Sequence, residues 1–122
     1  MAQIYESTVT GSGPEATSFL EERLLVTFGQ DAPDALKDYC YIIDIEALQG
    51  TIEVGQRLVL GTESFPITAV GSVAGKNLEQ LGHVTIAFTG LDEAEMDGTI
   101  YVDAGSEELP TLEAGARVAI ES

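Results

Sequence analysis

Eight short runs rich in apolar and β-branched residues, each closed off by Gly, Pro, Asp or Asn, set the strongest limit on what this chain can fold into. They are Ile4 to Thr10, Leu24 to Phe28, Tyr39 to Ile45, Arg57 to Leu60, Pro66 to Val73, Val84 to Phe88, Thr99 to Val102 and Arg117 to Ile120. Short strands separated by frequent turn formers bury their apolar faces against one another, which indicates an all-β barrel or sandwich. The expected architecture is all-β, a β-barrel of short strands with one to three short helices. One helix is predicted from Pro14 to about Arg23, with Ala16, Phe19, Leu20 and Arg23 on one face. A single turn is predicted over Pro33 to Asp38, and another helix over Lys76 to Leu81 with Gly82 as its C-terminal cap.

One stretch is echoed within the chain. Glu53-Val54-Gly55-Gln56-Arg57-Leu58-Val59-Leu60 and Glu113-Ala114-Gly115-Ala116-Arg117-Val118-Ala119-Ile120 share an acidic residue, a turn glycine, an arginine and alternating apolar positions. A glycine turn feeding a strand with one buried face produces this pattern, so shared local geometry is favoured over duplication.

At 122 residues the chain suits one domain, 1–122, and 44% hydrophobic residues suffice for a core. Acidic residues outnumber basic ones by 21 to 5, for a net charge of -16. Phosphate backbones and anionic membranes would repel such a surface, whereas a basic protein would be steered toward it. No apolar stretch is long enough for a transmembrane helix, and the N-terminus lacks signal-peptide features, so a cytoplasmic location is expected. The lone cysteine, Cys40, has no internal disulfide partner and sits between Tyr39 and Tyr41, as a small core filler would. An exposed sheet edge would allow a homodimer to pair, but the sequence does not locate one.

The most specific text runs from Phe65 to Val102, FPITAVGSVAGKNLEQLGHVTIAFTGLDEAEMDGTIYV. The P-I-T-A-V-G-S-V-A run, N-L-x-x-L-G-H-V-T, and G-L-D-E-A-E followed by G-T-I occur in order. Upstream, Ile4-Tyr5, the run ending at Phe28, Ala32-Pro33 and Tyr39-Cys40 fit the same pattern. In these features the chain resembles the glucitol/sorbitol-specific enzyme IIA family of the bacterial sugar phosphotransferase system. The resemblance implies a β-barrel phosphocarrier that needs no cofactor or metal. It would take a phosphoryl group from HPr and pass it to a cysteine of a sorbitol-type IIB domain, for uptake through the IIC component.

The resemblance also implies a phosphohistidine just after the aromatic-Cys pair, in a segment like C-x-I-H. That position holds Ile43, whose sec-butyl side chain accepts no phosphoryl group. The only histidine is His83, in the G-H-V-T motif. Imidazole is a suitable nucleophile near neutral pH and the sequence offers no other, so His83 is the best candidate phosphoacceptor, or an active-site neighbour that stabilises the incoming phosphoryl group; a structural histidine at a strand start, hydrogen-bonded to backbone, is the more ordinary reading. Asp44 and Cys40 are weaker nucleophile candidates. The acidic run Asp92 to Glu95 lacks the spacing of a calcium loop and reads as a turn. Gly71 to Asn77 is no Walker A loop, though backbone amides opening the short helix could hold an anion near His83; an ordinary Gly-rich strand-to-helix turn is the simpler reading. Two functions follow: a phosphocarrier working through His83, or a non-phosphorylatable paralogue acting as a regulatory or protein-binding module.

Overall fold

Along each strand, alternate residues must face opposite sides, so a strand with one apolar row is driven to turn that row inward. The computed structural model, which describes residues 3–105 and 109–122, shows how the eight runs satisfy this rule together. They form β1 (Gln3–Ser12), β2 (Leu24–Phe28), β3 (Tyr41–Ile43), β4 (Arg57–Leu60), β5 (Glu63–Val70), β6 (Val84–Ala87), β7 (Thr99–Val102) and β8 (Arg117–Glu121). Two short α-helices accompany them, α1 (Asp34–Lys37) and α2 (Ala74–Leu81).

The strands close into a barrel in the order β1-β3-β2-β6-β7-β5-β4-β8, with β8 returning to β1. Six of the eight seams are antiparallel; β2–β3 and β6–β7 are parallel. Closure gives every strand a neighbour on either side, with β1 and β5 each passing from one partner to the other along their length. Tyr5, Val9, Leu25, Ile43, Leu58, Ile86, Ile100 and Ile120 fill the interior, each at most 2% exposed.

The echoed segments adopt one geometry. Gly55 and Gly115 take φ of 96° and 95°, a left-handed conformation that glycine adopts without strain. Each turn closes on a matching bond, Gln56 N–H to the Glu53 carbonyl and Ala116 N–H to the Glu113 carbonyl. The strands they launch, β4 and β8, lie side by side with Leu58 opposite Ile120.

Most elements shift by a residue or two from expectation, and three segments differ more. The Pro14–Arg23 helix is instead a chain of tight turns ending in a 3-10 segment, Ser18–Glu22. Its bonds run to the third residue back, including Ser18 to Glu15 and Leu20 to Thr17. Arg23 then leaves at a left-handed φ of 61°, and its guanidinium donates to the Phe88 and Gly105 carbonyls, which offsets that strain. β3 is confined to Tyr41–Ile43 because Tyr39 and Cys40 belong to the turn after α1, where Cys40 N–H donates to the Lys37 carbonyl. β5 spans Glu63–Val70 rather than Pro66–Val73, because Val73 caps α2. A bulge between Ile67 and Ala69 swaps the faces of β5, so Ile67 enters the main core and Ala69 faces outward.

Tyr5 is 1% exposed, and its hydroxyl lacks a hydrogen bond of good geometry, since neighbouring Ser7 donates its own proton to the Asp44 carbonyl. Burial pushes the phenol up from 10.0 to about 12, with Ser7 opposing the shift. A group whose folded pKa is raised leaves stability intact below its unfolded value and erodes it as pH climbs through the folded one. Tyr5→Phe is therefore expected to leave neutral-pH stability unchanged or slightly higher, and to lessen the loss between pH 10 and about 12 in urea titrations.

Candidate functional site

The C-terminal end of β2 is where the candidate residues meet. β2 pairs antiparallel with β6, Thr27 opposite Val84, and parallel with β3, Phe28 opposite Ile42. His83 immediately precedes β6, so it lies beside Phe28 on one seam while Ile42 lies beside it on the other.

The His83 ring is held by two contacts. It stacks on Phe28, with ring centroids 4.3 Å apart and planes inclined by 27°. Its Nδ1 lies 3.1 Å from the Thr27 carbonyl oxygen. A carbonyl oxygen only accepts, so in the neutral ring Nδ1 carries the proton and Nε2 keeps the lone pair. This orients the imidazole and leaves the lone pair on Nε2. The backbone beneath is fixed as well: Thr27 Oγ1 donates to the Gly82 carbonyl at 2.9 Å, and Gly29 N–H donates to the Leu81 carbonyl at 2.8 Å.

Gly82 caps α2 at φ 68°, as its sequence position predicts, with its N–H on the Leu78 carbonyl. α2 therefore presents its C-terminus to His83. Its N-terminus lies about 12 Å back along the axis, given the helical rise of ~1.5 Å per residue. Within the Gly71–Asn77 turn, Val73 N–H is taken by the Asp97 carbonyl and Ala74 N–H by the Gly71 carbonyl. A Cβ on Gly71 would stand 2.1 Å from the Asp97 oxygen. The glycine is there for a backbone crossing, and the engagement of these two amides favours the ordinary strand-to-helix turn.

Ile43 is fully enclosed in the main core. Ile42, its neighbour, packs outside the barrel with Phe28 and Cys40. His83, stacked on Phe28, thus shares the outer face with Ile42, and Ile43 points to the other side of the wall. Both named positions flank one strand end but address opposite faces. Cys40 is 2% exposed, and burial pushes its thiol up, away from the reactive thiolate. Asp44 borders a depression with Gln30, Asp31, Ile45 and Glu46, where two further carboxylates oppose any added phosphate charge.

Sequence reasoning singled out His83 as a candidate but missed its supports. Thr27 acts through a backbone carbonyl and Gly29 through its lack of a side chain, neither of which forms a motif.

Fold comparison places the chain first among phosphotransferase-system components. The crystal structure of the PTS system IIA component from Enterococcus faecalis V583 matches with a TM-score of 0.82 and 27% identity, over 97% of this chain and 100% of that one. Sequence comparison narrows this. The glucitol/sorbitol-specific EIIA components of Shigella flexneri and Escherichia coli (strain K12) are 46% and 45% identical over 102 residues, covering 84% of this chain and 83% of each relative. The profile of the PTS system glucitol/sorbitol-specific IIA component family matches residues 4–119. The chain belongs to that family.

Two outcomes are expected from this geometry. Long-range ¹H–¹⁵N correlation at alkaline pH should show His83 as the Nδ1-protonated tautomer, where a free histidine favours the other. Gly29→Ala would set a Cβ 2.7 Å from both the Ile45 side chain and the Leu81 carbonyl. It should cost about 1–3 kcal/mol in chemical denaturation, since the backbone carbonyl has nowhere to move.

Proposed function

We propose that this IIA component is a cytoplasmic phosphocarrier that works through Nε2 of His83. The observation that carries the reading is the Nδ1 contact to the Thr27 carbonyl, which leaves Nε2 as the nitrogen with the lone pair. In the forward step, Nε2 attacks the phosphorus of phosphorylated HPr. The donor P–N bond breaks as the new one forms, and the proton stays on Nδ1, hydrogen-bonded to the Thr27 carbonyl. A thiolate of a sorbitol-type IIB domain then attacks the same phosphorus, and the Nε2–P bond breaks. Stacking on Phe28 holds the ring in one orientation for both exchanges.

A specific observation favours a second reading. Ile43 is enclosed in the core at the position where the family resemblance implies the phosphohistidine, and the alternative function is a non-phosphorylatable paralogue that binds HPr or IIB without relaying phosphate.

Incubation with phosphoenolpyruvate, enzyme I and HPr separates the two. An acid-labile phosphoryl adduct by intact mass is expected, abolished in His83→Ala. A label that survives His83→Ala rules this histidine out. No adduct, under conditions that label a working carrier, leaves the protein-binding reading. Ile43→His supplies a further arm: it should lower stability by about 1–3 kcal/mol, because it buries a polar ring. Labelling of that variant in a His83→Ala background would assign relay geometry to position 43.

A further inference from the structure

Beyond the imidazole, the outer face of β2, β6 and β7 is more apolar than a barrel exterior requires. Leu24 packs with Ala69, Ala87 and Tyr101 in a cluster separate from the main core. The segment linking β6 to β7 leans over this face and turns it into a groove of about 350 Å³. Leu24 and Val26 from β2, Thr85 and Ala87 from β6, and Tyr101 from β7 form its floor. Leu91 and Met96, 40% and 65% exposed, stand along its wall.

The wall is fixed in place. Thr68 Oγ1 donates to the Leu91 carbonyl at 2.6 Å. The Tyr101 hydroxyl accepts from the Glu95 and Met96 amides at 3.1 and 2.9 Å. The charged side chains along its lining and wall are acidic, while Arg23 beside Leu24 is engaged on the Phe88 and Gly105 carbonyls. Glu95 lines the groove, exposed Asp92, Glu93 and Asp97 flank it along the wall, and exposed Glu21 and Glu22 follow the lining residue Phe19. No lysine or arginine is among the lining residues.

Strand alternation ties the groove to the imidazole. Leu24, Val26 and Phe28 form the outward row of β2; His83, Thr85 and Ala87 form the adjacent row leading into and along β6. At about 3.4 Å per residue, Thr85 lies roughly 7 Å from His83 along the row.

We propose that this groove is the docking surface for a basic segment of the phosphoryl-exchanging partner. The segment would seat one apolar side chain on Leu24, Ala87 and Tyr101, and set its lysines or arginines against the acidic rim. This rests on the His83 reading for the identity of the partner, though not for the existence of the surface. A second copy of the chain is disfavoured as occupant, since each copy carries -16.

The test titrates ¹⁵N-labelled full chain with a hexapeptide carrying two lysines on either side of a Leu-Phe pair. Saturable shifts are expected at Leu24, Thr85, Ala87 and Met96. Affinity should fall about tenfold between roughly 0.05 and 0.5 M salt, because the rim is exposed and screened. Leu91→Asp and Met96→Asp, both at exposed positions, should weaken binding about tenfold, and Glu93→Gln with Glu95→Gln should flatten the salt dependence. Equal binding of a peptide with glycines in place of Leu-Phe would overturn the proposal, as would shifts confined elsewhere or self-association of the chain through these residues. Labelling by HPr separates the two readings. Peptide binding without any labelling counts against His83 and leaves the groove standing. Labelling by HPr at an unchanged rate in Met96→Asp counts against the groove and leaves His83 standing.

Discussion

Closure of the strand ring is the constraint on which everything else depends. Once β8 pairs with β1, each residue in the wall faces either the packed interior or the outside, and the alternation shifts at the irregularities in β1 and β5. Phe28, Ile42 and His83 meet on the outside for that reason, and Ile43 is committed to the interior by the same rule. Shifting β3 by one residue would exchange Ile42 and Ile43. Register is therefore what separates a residue that can meet a partner protein from one that only fills space.

All eight strands were legible in the sequence because glycine, proline and acidic turns bracket them, and because apolar runs such as Leu24 to Phe28 are too short for helices. The family was legible too, from the Phe65 to Val102 block. Less legible were features set by backbone geometry. The Pro14–Arg23 segment has helical spacing, yet its bonds form tight turns and Arg23 leaves in a left-handed conformation. The β5 bulge decides which residues face outward and has no composition signature. Likewise, the carbonyl that orients His83 comes from Thr27, 56 residues away in sequence, across a seam that only pairing reveals. The apolar outer cluster draws on four separated elements, each with ordinary strand alternation.

Charge and packing act at different ranges here. The net charge of -16 attracts a basic protein from a distance and does not define where it lands. Landing requires contact, and a groove with apolar floor and acidic margin combines both properties. The few cations are largely engaged within the molecule: Arg23 on two carbonyls, Arg57 on Ser64, and Arg117 on Glu6 and Glu121. They trim the negative field little beyond their own neighbourhoods.

The clamp made by the Tyr101 hydroxyl bears on the kinetics of recognition. Two backbone amides of the β6–β7 connection converge on a side chain rooted in the sheet. The connection is therefore already ordered before anything binds. A ligand settling there loses its own freedom but does not have to freeze the receptor's, so less of the contact energy is consumed by ordering. For the carrier proposed above, which would meet one protein and release it to meet another, a rigid seat gives rapid capture without demanding a tight complex.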